Sequence, residues 1–68
     1  VSNLLSKEEK LKMLEKALRL EINIEGFYTE IVKKTEDEKI NEYLSQLVRE
    51  TKEHAARLSK LIDGLKLE

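Results

Sequence analysis

The sequence has no cysteine, no proline, only two glycines and three aromatic residues. Each absence excludes something. Without cysteine there is neither a disulfide framework nor a thiolate metal site. Without proline no helix is forced to break, and only Gly26 and Gly64 stand to interrupt one. Charge of one sign is also missing: 13 Lys and Arg face 14 Asp and Glu, for a net charge of −1. The basic residues form no patch and the few aromatics do not interleave with them, so nucleic acid and anionic membrane surfaces are poor partners. No apolar run approaches the ~20 residues of a membrane span. No stretch has the charged, apolar, small-residue order of a secretory signal. A cytoplasmic protein is therefore expected.

What is present is a short chain dense in charge. Sixty-eight residues allow one small domain spanning 1–68, and 40 % of them are Asp, Glu, Lys or Arg. A domain near this size buries only about 60 % of its unfolded surface. Small folds are usually rescued by disulfides, a metal or association. With cysteine absent, association, a non-thiolate metal site, or both remain.

The local signals are helical. Ser6-Lys7-Glu8-Glu9 reads as a capping box, with Ser6 as N-cap and Glu9 three residues on. Helix 1 is expected from about Lys7 to about Lys34. A second box, Thr35-Glu36-Asp37-Glu38, places a turn at about 35–36 and starts helix 2 near Glu36. Helix 2 is expected to end near Asp63, with Gly64 as a left-handed cap. So short a loop makes the helices antiparallel neighbours.

Apolar residues recur at helical spacing in both segments. The helix 1 stripe holds Leu14, Ala17, Leu18, Glu21, Ile24, Tyr28 and Val32, widened by Leu20, Phe27 and Ile31 on one side and by Leu11 and Ile22 on the other. The helix 2 stripe holds Ile40, Leu44, Leu47, Val48, Thr51, His54, Ala55, Leu58, Leu61, Ile62 and Leu65. Both are wider than the seam of a two-stranded coiled coil and suit a bundle of three or more helices. An all-α hairpin that homodimerises into a four-helix bundle is expected.

Glu21, Thr51 and His54 are the polar residues on these stripes. With the turn centred near Glu36, Glu21 and Thr51 are level across the pair, and His54 lies less than one turn further on. A carboxylate and an imidazole are then expected to face each other inside the apolar layer. A buried carboxylate must find a proton, a partner or a cation. The pair reads as a structural hydrogen bond, as a Glu21 that reaches solvent at a bundle edge, or as two metal ligands, a donor set that suits iron, manganese or zinc. Glu50, one turn before His54 on the same side, is a candidate auxiliary ligand. A phosphoacceptor role for His54 would need an exposed imidazole, which the stripe position disfavours.

Ala17-Leu18-Arg19-Leu20-Glu21 with Glu25-Gly26-Phe27-Tyr28 resembles the first helix of rubrerythrin-type ferritin-like proteins. Leu47-Val48-Arg49-Glu50-Thr51-Lys52-Glu53-His54-Ala55 resembles their second helix, whose motif ends in Glu-x-x-His. The resemblance runs from about Leu11 to about Leu61. It implies a ferritin-like four-helix bundle with two irons and, in an active site, oxidation of ferrous iron or reduction of peroxide. By this likeness Glu21 and His54 match ligands, whereas the motif glutamate falls on Thr51. Two helices make half of such a bundle, which a second copy would complete. The cofactor implied is iron or zinc, with no haem and no nucleotide, and the absence of cysteine excludes a rubredoxin-like domain. The alternative is a metal-free dimerisation module that keeps only the bundle.

Overall fold

Residues 4–68 are described by a computed structural model as two α-helices joined by a three-residue turn. Helix α1 spans Lys7–Lys34 and helix α2 spans Glu38–Lys66. They pack against each other as an antiparallel hairpin measuring 52 × 22 × 16 Å.

The caps explain the boundaries. At the start of α1, the Ser6 hydroxyl accepts from the Glu9 amide at 3.1 Å, and the Ser6 amide donates to Glu9 Oε1 at 3.0 Å. Two otherwise orphan amides are thus satisfied reciprocally. The Ser6 backbone hydrogen bond, with a smaller contribution from the Ser6 side chain, holds the Glu9 carboxyl below its usual range.

The turn departs from the sequence reading. Thr35 is not the N-cap of α2. It ends α1 in an extended conformation, its amide donating to the Ile31 carbonyl at 3.0 Å. Asp37 is the N-cap instead, with Oδ1 accepting from the amides of Lys39 at 2.9 Å and Ile40 at 3.1 Å. Helix α2 therefore begins at Glu38, two residues later than expected. Asp is the stronger N-cap, and the Asp37 carboxylate accepts from two amides at the boundary, which prevails over the Thr35 box. The Thr35 hydroxyl accepts from the Asp37 amide, and its carbonyl accepts from Asn41 Nδ2, which closes the turn.

The other end is corrected as well. Gly64 is helical rather than left-handed, and α2 continues to Lys66. Leu67 caps it in the right-handed region, its amide reaching the carbonyls of Asp63, Gly64 and Leu65. The extra turn keeps Leu65 half-buried against α1, which a reversal at Gly64 would forfeit.

The seam is narrower than the apolar stripes. Leu11, Leu18, Glu25 and Val32 recur every seven residues along the half-buried face of α1, with Leu14, Glu21 and Tyr28 between them. Asn41, Val48, Ala55 and Ile62 do the same on α2, with Leu44, Thr51, Leu58 and Leu65 between. Only Thr51 and Ile62 are buried among the described residues. Ile24, expected on the inner face, is 42 % exposed.

A second apolar stripe is more open, with Ala17, Ile31 and Leu47 half-buried and its other members exposed. On α1 it is Met13, Ala17, Leu20, Ile24, Phe27 and Ile31, spaced alternately by four and three. On α2, Ile40, Leu47, His54 and Leu61 follow at seven-residue intervals. At about 100° per residue, each stripe lies counter to the chain's winding from its own seam. In an antiparallel pair both therefore fall on the same side of the hairpin. Leu20, Phe27, Tyr43 and Leu61 are each more than half exposed.

Candidate metal centre

Glu21 lies near the midpoint of α1, and Thr51 and His54 lie near the midpoint of α2. The equal arms of the hairpin bring them level. His54 Nδ1 stands 3.5 Å from Glu21 Oε1. That is a facing pair, longer than a tight hydrogen bond. The expectation that they meet inside an apolar layer needs correction: the His54 side chain is 55 % exposed and that of Glu21 28 %. In one chain there is no layer above them. They sit where the seam meets the open stripe, and the pair is accessible in the single chain.

Thr51 is the buried member of the group, at 6 % exposure. Its hydroxyl donates to the Leu47 carbonyl of its own helix at 2.7 Å. This bond satisfies the one polar group a buried Thr brings and turns it away from Glu21 and His54. Glu50 is exposed and about 100° round the helix from Thr51. Among the described residues it makes no ion pair or hydrogen bond with Glu21 or His54. Tyr28 packs at a tilt against Phe27, with ring centroids 6.3 Å apart, and does not bond to the pair.

One chain therefore brings two donors together. Among the described residues, no group of three or more His, Cys, Asp or Glu stands close enough to hold a metal ion. The two that do stand together are a carboxylate and an imidazole, a combination with affinity for borderline divalent metals. A dinuclear centre of the ferritin-like kind takes four carboxylates and two imidazoles. Doubling the Glu21–His54 pair would yield two of each, a donor set that fits one ion and does not fit two. The exposure of His54 also removes the steric objection to its acting as a phosphoacceptor, although the imidazole faces a carboxylate that would repel a phosphoryl donor.

Two half-buried acids, Glu15 and Glu25, escaped the sequence reading. Glu25 lies in the seam, one turn beyond Glu21. The seven-residue series Leu11, Leu18, Glu25, Val32 is the signal that marks it, and reading by apolar stripe alone passes over it.

No helix among the described residues is long and apolar enough to cross a membrane. No curated protein and no solved structure matches the chain. A family model, Rubrerythrin, matches residues 12–68, which takes in both helices, the turn and the Glu21–His54 pair. With most of its length matched, the chain belongs to the rubrerythrin family.

Proposed function

We propose that this protein is a two-helix ferritin-like subunit that binds a divalent metal, iron or zinc, between two copies of itself. The observation that carries this reading is the Glu21–His54 pair, 3.5 Å apart at the middle of the hairpin and open toward an uncovered apolar face.

Surface area supports a second copy. The chain exposes 5759 Å², whereas a compact folded protein of its mass exposes about 4,500 Å². A compact pair would expose about 7,400 Å², roughly 4,100 Å² less than two separate chains. That loss falls in the range of obligate homodimers. A four-helix bundle formed through the stripe of Met13, Leu20 and Ile24 would cover it. Because the pair lies at mid-hairpin, a two-fold axis along or across the helices puts both copies of Glu21 and His54 in one layer.

Glu21 and His54 would hold the ion, and Glu50 would act as an auxiliary ligand only if the helix turned it inward. Bound iron would supply ferrous oxidation or peroxide reduction, and bound zinc a structural clamp. The chain's own part is to orient an imidazole by a carboxylate and to exclude water by the apolar stripes on either side.

The test is metal content of purified protein after loading with iron and zinc, beside Glu21→Ala and His54→Ala. Stoichiometric metal in the parent and loss in both variants is the expected result. No metal in the parent after loading would leave the second reading, a bundle-only dimerisation module. That reading is favoured by Thr51, whose hydroxyl is already bonded within its helix.

A further inference from the structure

We propose that the assembled site holds one metal ion per two chains, and that Thr51 sets this number. The inference rests on the metal-binding reading above and departs from the dinuclear centre that the family implies.

Charge is the first argument. Two copies bring two carboxylates from Glu21 and two neutral imidazoles from His54. One divalent ion with two carboxylates is neutral. Two divalent ions would leave a net charge of two in a layer walled by Leu, Ile and Val, where uncompensated charge is costly. Ligand count is the second. Two carboxylates and two imidazoles supply the four donors of a tetrahedral site. Among the described residues no third acid of a chain, the half-buried Glu25 included, stands with the Glu21–His54 pair to serve a second ion.

Thr51 is the position from which a further carboxylate per chain would come. It occupies the middle of the hairpin, level with Glu21, and is the more buried of the two residues. It lies three residues before His54, so the two share one side of α2. Its hydroxyl is neutral, and its proton is committed to the Leu47 carbonyl at 2.7 Å. Glu50 does not replace it, being exposed and about 100° away round the helix. A glutamate at 51 would add one negative charge per chain, and two divalent ions would then be balanced by four carboxylates.

The experiment is titration of the metal-free full chain with Co²⁺, read by the visible absorption of bound cobalt and by metal analysis after desalting. The wild-type protein is expected to saturate at one ion per two chains, with the intense visible bands of tetrahedral cobalt. Thr51→Glu is expected to saturate at one ion per chain. Thr51→Val, which keeps the volume and removes the hydroxyl, is expected to match wild type. This variant keeps the test decisive if Thr51→Glu does not fold. Saturation of the wild type at one ion per chain would overturn the inference while leaving the metal reading intact. So would loss of binding in Thr51→Val, since the hydroxyl would then be a ligand. A folded Thr51→Glu that stays at one ion per two chains would overturn the role given to Thr51. No cobalt bound by wild type would overturn the metal reading and this inference with it.

Discussion

His54→Ala separates a ligand from a structural partner, because the two roles have different magnitudes. Without metal, His54 and Glu21 are 3.5 Å apart with side-chain exposures of 55 % and 28 %. A pair so open to solvent contributes about 0–1 kcal/mol. Replacing His54 in metal-free protein should therefore move the thermal midpoint by a few degrees at most. A bound ion adds a different quantity, fixed by mass action. At a free metal concentration 100 times the dissociation constant, binding to the folded state alone stabilises it by about 2.7 kcal/mol. For a two-chain unit of this size, each kcal/mol raises the midpoint by about 4 °C, so zinc should raise the wild type by about 10 °C. His54→Ala should abolish that rise. The assay is circular dichroism melting of both proteins in chelator and in zinc at fixed protein concentration. If the substitution lowers the midpoint equally in chelator and in zinc, the pair is structural and the reasoning fails.

Three further outcomes are expected. Ile24→Glu places a carboxylate on the open stripe of each copy, at a position 42 % exposed in the single chain. Two unpaired charges at a dry interface cost several kcal/mol, so the dimer dissociation constant should rise by about a thousandfold or more in sedimentation velocity. Gly26→Ala should stabilise the fold by about 1 kcal/mol in chemical denaturation, since a Cβ there meets nothing within 4 Å and the backbone is helical. Acidification should loosen the start of α1. Contacts with Ser6 hold the Glu9 carboxyl below the usual carboxylate range when folded, so its contribution is complete above that range and is lost as pH falls through the folded value. Amide exchange in the first turn should accelerate below that range in the parent, and Glu9→Gln should show no such pH dependence.

The sequence made some of this legible and left some out, for reasons that differ by residue. Ser6 and Glu9 form the capping box that their spacing announces, because a cap is decided by four consecutive residues. The second box misled because Thr35 and Asp37 compete for the same boundary, and hydrogen-bond geometry chose Asp37. Gly64 fits a helix interior as well as an end, and the packing of Leu65 decided between them. The facing of Glu21 and His54 followed from equal arm lengths about the turn. Their exposure did not, since an apolar stripe shows that a face will be covered without showing by what. Half of each stripe is covered by the other helix of the hairpin. The other part, at Leu20, Ile24 and Leu61, is exposed in the hairpin.

The most direct measurement is native mass spectrometry of the purified 68-residue chain after equilibration with zinc. The account predicts a species of about 16 kDa, twice the 8.0 kDa of one chain, carrying a single metal ion, with Ile24→Glu shifting it toward metal-free monomer. A helical wild-type protein that remains at 8.0 kDa without bound metal at micromolar concentration would contradict it.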